Sequence, residues 1–306
     1  MQPLRGIVFK LLSVCVFMTM ASLIKATSDH VPPGEAVFFR SFFAIPVIVA
    51  WLLWRHELGT GLRTSNPMGH VWRGVVGTCA MGLGFAGLGL LPLPEVTAIG
   101  YAAPLLVVVF AAMFLGEEVR VFRLSAVALG LVGVLIVLSP RLSVDAATID
   151  VAQTLGAVLV LGGAVFAALA QVFVRKLVAT ERTPTIVFWF SVTATCISLV
   201  TLPWGWVLPD PKEFALLVLA GLAGGLGQIL LTSSYRYADA SLVAPFEYSS
   251  MLLALVVGYA VFDEVPSVPM IGGAAIIIAA GVLIIWRERQ LGLERAKQRK
   301  AMTPSG

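Results

Sequence analysis

Glu247 is the residue best placed to do chemistry, because its ionisable group lies within an otherwise apolar stretch, Ala244-Pro-Phe-Glu-Tyr-Ser-Ser-Met-Leu-Leu. If a helix starts near Ala240, a rise of about 1.5 Å per residue places Glu247 roughly 10 Å inside a hydrocarbon core about 30 Å thick. A carboxylate at that depth is costly. It serves to bind or couple, or it is half of a structural ion pair with Arg236 or another base. Pro245 lacks an N–H and loosens the chain beside it. Arg40, within Phe38-Phe39-Arg40-Ser41-Phe42-Phe43, offers a planar fork that can hold a carboxylate, a phosphate or a ring carbonyl. It could equally snorkel outward or pair with Glu35 or Glu95. Lys10 and Lys25 lie nearer the ends of apolar runs and are expected to snorkel. Tyr101 and Tyr248 suit a cavity wall, and Trp189 and Phe188 could stack on a flat ligand. Gln171 and Gln228 supply uncharged donors and acceptors, and packing is the plainer role for all six.

The elements that must position these side chains follow from composition. Of 306 residues, 58% are hydrophobic and only 12% are charged, about half the usual charge of a soluble domain. The charged residues are bunched, leaving windows 74–94, 96–116, 151–174, 183–209, 214–235 and 265–286 with none. Each is long enough for a transmembrane helix of about 20 residues. Window 124–140 sits at the lower limit, and 11–24, 41–54 and 248–262 reach it by accepting one charge each. The pattern predicts ten spans with short connections and no soluble domain. A β-barrel is excluded because its strands would alternate apolar and polar residues. Cys15, Cys79 and Cys196 fall within predicted spans without metal or redox spacing.

The chain also repeats itself. At an offset of 150, Val37-Phe-Phe-Arg-Ser41 meets Val187-Phe-Trp-Phe-Ser191, and Lys25 meets Arg175. At 147, Tyr101 meets Tyr248 and Gly116-Glu117 meets Asp263-Glu264; at 148, Gly133-Val-Leu-Ile136 meets Gly281-Val-Leu-Ile284. Two five-helix units result, over 5–141 and 151–287, with a basic tail at 288–306. Five is odd, so the second unit enters from the opposite face. Lys and Arg favour cytoplasmic loops. With both termini cytoplasmic, 16 basic residues, Arg73 among them, fall on the inner side and two on the outer. The fold class is therefore all-α integral membrane protein, ten helices as two inverted five-helix repeats. Inverted repeats are the architecture of secondary transporters, with a site near the midplane.

The segment around Arg40, the ending Leu115-Gly116-Glu117, and Ala244-Pro-Phe-Glu-Tyr248 followed by Phe262-Asp-Glu-Val-Pro266 resemble EamA-domain proteins of the drug/metabolite transporter superfamily. The resemblance runs from about residue 5 to 287. Val31 to Pro46 and Leu90 to Pro104 look most like bacterial riboflavin importers. It implies uptake of riboflavin across the bacterial inner membrane. S-adenosylmethionine permeases and exporters of amino acids, metallophores or drugs are the alternatives. One departure stands out: Asp263-Glu264 replaces the Gly-Glu of many relatives.

An intramembrane enzyme is the competing class. Against it, His30, His56 and His70 read as loop residues, and no His-x-x-x-His pair or paired intramembrane carboxylates occur, so no metal, cofactor or catalytic residue is expected. No Gly-x-x-x-x-Gly-Lys-Ser/Thr loop is present for ATP. The net charge of +4 faces lipid headgroups rather than nucleic acid. Expected partners are a small-molecule substrate and the bilayer, and a homodimer is compatible with both. Glu117 and Glu264 are read as caps, and the tail as a short, frayed helix. A reporter fused after Lys300 is expected to be active only in its cytoplasmic form; periplasmic activity would refute an even number of spans.

Overall fold

In the computed structural model, residues 3–115, 121–139, 150–178, 180–237 and 244–302 are described. Among them the chain is helical throughout, without strands. The first half comprises α1 (Pro3–Lys25), α2 (Pro33–Phe42), α3 (Ala44–Trp54), the single-turn α4 (Leu58–Gly61), α5 (Pro67–Leu90), α6 (Leu93–Gly100), α7 (Ala102–Leu115) and α8 (Val121–Leu138). The second comprises α9 (Val151–Val178), α10 (Thr183–Leu199), α11 (Pro211–Tyr237), a 3-10 turn at Ala244–Tyr248, α12 (Ser249–Phe262) and α13 (Val268–Met302). Five helices are long and apolar enough to cross a membrane, and five shorter apolar helices accompany them. Large apolar side chains such as Val132, Leu135, Leu219, Leu252 and Val256 are exposed, as a lipid-facing surface requires.

Local chemistry explains the boundaries. Pro33 and Pro67 open α2 and α5, where a missing N–H leaves no bond unmade. The Asn66 side chain accepts the Gly69 N–H at 3.0 Å. Asp210 and Glu213 cap each other's backbone N–H at the start of α11, at 2.7 and 2.9 Å. Inside spans, proline has the opposite effect. Pro46 cannot serve the carbonyl of Phe42, nor Pro104 that of Gly100, and those are the residues after which α2 and α6 end. The chain resumes as α3 and α7, so two spans are broken rather than terminated. The third break is the 3-10 turn that contains Pro245 and Glu247.

Packing joins the halves reciprocally. α1 lies on α11 and α5 on α9, and exchanging the two repeats converts one pair into the other. The same exchange converts α2–α11 into α5–α10, and it maps α2–α10 and α8–α13 onto themselves. Each hydrophobic core mixes both halves: Tyr101 and Val134 with Met251 and Ile277, and Met18 and Phe39 with Leu217 and Ala254.

Two expectations change, and a third residue is explained. Arg73 and His70 lie within α5 rather than in a loop, because the charge at 73 had marked the edge of an apolar window that proline starts earlier. The basic tail continues α13 as helix to Met302. Asp263 has a φ of 53° at the end of α12, the left-handed region that favours glycine and that Asp tolerates better than most residues. Glycine, which the resemblance leads one to expect there, adopts that conformation without steric cost. Its counterparts Gly116 and Glu117 lie outside the described residues.

Where α8 crosses α13, backbones touch. A Cβ on Gly273 would stand 2.5 Å from the Gly133 carbonyl oxygen, whereas one on Gly272 would meet nothing within 4 Å. Gly273→Val is therefore expected to destabilise by roughly 1–3 kcal/mol, with Gly272→Val near neutral. Thermal unfolding in detergent micelles checks this, and equal midpoints for the two variants would refute the contact.

Candidate functional site

Two of the helix breaks place tyrosines at the interface between the halves. Tyr101 sits at the α6–α7 break and Tyr248 ends the 3-10 turn. Their rings meet edge to face, with centroids 5.2 Å apart. Tyr101 Oη pairs with the Ser250 hydroxyl and reaches the Tyr248 carbonyl at 3.5 Å. These two tyrosines align at the 147-residue offset, and their contact joins the two halves.

Beside them, Lys10 of α1 forms an ion pair with Glu247. Lys10 is 2% exposed at its side chain and Glu247 is 47% exposed, so the carboxylate faces open space and the ammonium does not. Lys10 therefore does not snorkel. Neither does Lys25: its Nζ lies 2.9 Å from Glu264 and donates to the carbonyls of Leu88 and Leu91 at 3.1 and 2.7 Å. Glu264 also accepts the N–H of Leu93, the first residue of α6, at 2.8 Å. It is a cap, as the sequence suggests, but of the broken fourth span rather than of the following helix.

Arg40 is 5% exposed. The expected partner Glu35 instead accepts the Val207 N–H at 3.0 Å, and among the described residues no carboxylate pairs with Arg40. Its guanidinium lies 5.6 Å from the centre of the Phe190 ring, which is its repeat equivalent on α10. The guanidinium of Arg73 stacks on the same ring at 3.5 Å. Sequence reasoning missed Arg73 and Phe190, although the 150-residue offset already aligned Phe190 with Arg40.

The other candidates stand apart. Trp189 spends its indole N–H on the Leu62 carbonyl at 3.1 Å and packs edge to face with Phe188. That contact fastens α10 to the loop after α4. Gln171 is exposed on α9 and Gln228 half-buried on α11. The ends of the bundle are tied separately. Glu181, between α9 and α10, accepts from Thr64, Ser65 and Asn66 at 2.7–3.0 Å. Burial pushes its carboxyl upward, but these hydrogen bonds together hold it below the usual range. At the opposite end His30 meets Glu213 at 2.9 Å, and that hydrogen bond and charge raise the imidazole above its ordinary value. Among the described residues no three His, Cys, Asp or Glu side chains group to hold a metal ion.

Residues 4–139 and 154–286 each match the EamA-like transporter family. The chain belongs to that family. This EamA-like chain is 31% identical to the pseudopaline exporter of Pseudomonas aeruginosa, over 91% of its own length and 95% of the exporter's. It is 27% identical to the S-adenosylmethionine uptake transporter of Rickettsia prowazekii, over 94% of each. With the riboflavin transporter of Rhizobium johnstonii it shares 31%, over 93% of this chain and 89% of that one. A solved crystal structure, 21% identical, superposes with a TM-score of 0.65 over 94% of this chain and 98% of that one. The EamA-like chain is thus a bacterial-type, multi-pass membrane transporter with two family units.

The Lys10–Glu247 pair makes a directional test. Glu247→Gln removes the charge balancing a buried ammonium, and breaking such a pair costs about 3–5 kcal/mol. Lys10→Met leaves only a half-exposed carboxylate. Glu247→Gln should lower the thermal midpoint more than Lys10→Met, and the double variant should recover most of the loss. The reverse order would show that Glu247, not Lys10, is the desolvated partner.

Proposed function

We propose that this protein is a secondary transporter that moves a small organic metabolite across the bacterial inner membrane through the interface between its two halves. The observation that carries the reading is the pair of repeat-equivalent contacts, Tyr101 with Tyr248 and Arg40 with Phe190. They bring ionisable and hydroxyl groups to the seam between the halves, where transporters of repeated design bind their cargo. Five spans per half make the second unit inverted, with both termini cytoplasmic. The units run over 5–141 and 151–287, followed by the cytoplasmic tail. Arg40, Tyr101, Glu247 and Tyr248 are proposed to line the path, with Gln171 and Gln228 on its margins and Trp189 at its end.

The substrate is first narrowed by what the path must neutralise. Glu247 is already matched by Lys10, which weakens the case for a purely cationic cargo leaning on that carboxylate. Riboflavin uptake is supported by resemblance to the Rhizobium riboflavin transporter and by tyrosine faces that suit a flat ring. Its carbonyls can accept from Arg40.

Counterflow in proteoliposomes tests the reading. Vesicles loaded with unlabelled riboflavin or S-adenosylmethionine should transiently concentrate the labelled form of at least one, because a carrier exchanges substrate while an enzyme or channel does not. Tyr101→Ala or Tyr248→Ala should lower that exchange about ten-fold or more, as truncating a central aromatic contact does elsewhere. Vesicles that leak label without overshoot would refute a carrier. If the carrier reading holds but riboflavin gives no exchange, the riboflavin assignment falls alone.

A further inference from the structure

We infer that Arg40 and Arg73, arranged about the Phe190 ring, form a binding site for the carboxylate of the transported metabolite. The inference rests on the carrier reading above and adds a charge requirement that neutral riboflavin, which has no carboxylate, does not meet; it therefore favours a carboxylate-bearing metabolite over riboflavin as the cargo.

Three helices build the site. α2 enters the bundle at the end that carries Lys25 and α5 at the opposite end. By helix rise, Arg40 lies about 10 Å in from its end and Arg73 about 9 Å in from its own. Phe190, seven residues into α10, receives both, so the two cations meet in the interior from opposite faces. Gly224 of α11 makes room for one of them, since a Cβ there would stand 3.2 Å from Arg40 Nε. Gly77 of α5 does so for the other, at 3.0 Å from Arg73 Nη1.

What singles out the site is unanswered charge. Arg40 Nε, Arg73 Nε and Arg73 Nη1 are buried N–H groups without a hydrogen-bond acceptor, and the neighbouring Ser41 hydroxyl is likewise unused. Every other intramembrane cation described above has a carboxylate: Lys10 has Glu247 and Lys25 has Glu264. Here the π-face of Phe190 is the shared partner. A cation–π contact is worth about 0.5–2 kcal/mol, far less than two unmatched charges lose on leaving water. Both guanidiniums stand against one ring, 5.6 and 3.5 Å from its centre, so their like charges oppose each other. One anion bound between them would remove the repulsion and accept the idle N–H groups. Guanidinium forks match the planar geometry of a carboxylate.

The proposed route to the site starts at the Lys25 end, one helical turn short of Arg40. A recess of about 240 Å³ is lined by Ile24, Ser28, Ala36, Phe85 and Gly89, among others. Arg40 follows Ala36 by one helical turn on the same face of α2. A ligand entering the recess therefore approaches Arg40 along one helix face.

Matched probes decide the question without requiring transport. Purified full-length protein in lipid nanodiscs is titrated calorimetrically with benzoate, its neutral isostere benzamide, and phenyl phosphate, with empty nanodiscs subtracted. Benzoate is expected to bind, and benzamide at least about ten-fold more weakly, because charge-assisted hydrogen bonds are lost with the charge. Arg40→Gln and Arg73→Gln should each weaken benzoate by a similar factor, while Arg40→Lys and Arg73→Lys, which keep the cation but not the fork should a glutamine variant fail to fold, should bind benzoate more tightly than the glutamine variants and less tightly than the wild type. Equal binding of benzoate and benzamide, no benzoate binding by the wild type, or unchanged binding in the glutamine variants would overturn the site. Phenyl phosphate binding without benzoate binding would overturn the carboxylate assignment. Counterflow that succeeds while benzoate and benzamide bind alike refutes this inference and leaves the carrier reading intact. Selective benzoate binding without counterflow does the reverse.

Discussion

A charge carried into hydrocarbon must be answered there, because no water follows it to screen the field. That constraint orders the interior of this protein. Lys10 is answered by Glu247 across α1 and the 3-10 turn, and Lys25 by Glu264 across α1 and the end of α12. Each pair crosses between the halves, so satisfying the charge also fastens one half to the other. The helix breaks obey the same rule for partial charges. A proline that frees a carbonyl inside a span needs a compensating donor nearby, and hydroxyls such as Tyr101 and Ser250 cluster at those breaks.

The two ends of α1 thus serve different purposes. Lys25 is fixed by a carboxylate, two carbonyls and the Phe262 ring, with Glu264 in turn holding the first N–H of α6. It is a junction of four chain segments. Lys10 meets a carboxylate that is itself half-exposed, so that contact borders open space and can be exchanged for another. Rigid fastening at one end and an exchangeable contact nearer the other is a division of labour suited to the carrier mechanism proposed above.

Much of this was legible in the sequence, for identifiable reasons. Span number followed from runs without charge, since a bilayer leaves composition little freedom. The 147- and 150-residue offsets located Tyr101 against Tyr248 and aligned Arg40 with Phe190, yet an offset gives equivalence and says nothing of contact. Pairing of Lys10 and Lys25 was missed because snorkelling is judged along one helix, whereas their partners come from another 237 and 239 positions away. Arg73 was missed because an apolar window ends at its first charge, and Pro67 starts the helix before that. Trp189 illustrates the converse: its ring type suggested stacking, but only packing could reveal that its N–H is committed to Leu62.

The contact between Arg40 and Phe190 has one more consequence. In the inverted arrangement proposed above, equivalent residues become neighbours, so an exact dimer of identical halves would set arginine against arginine or phenylalanine against phenylalanine. The first is a like-charge clash and the second an uncharged wall. Fusion into one chain lets the halves diverge, and the axial position then holds a cation on one side and its aromatic partner on the other. The tyrosines at 101 and 248 have no such need, because two phenol rings tolerate each other edge to face. A charged group can thus stand at this position only if the two halves differ there, as they do at 40 and 190.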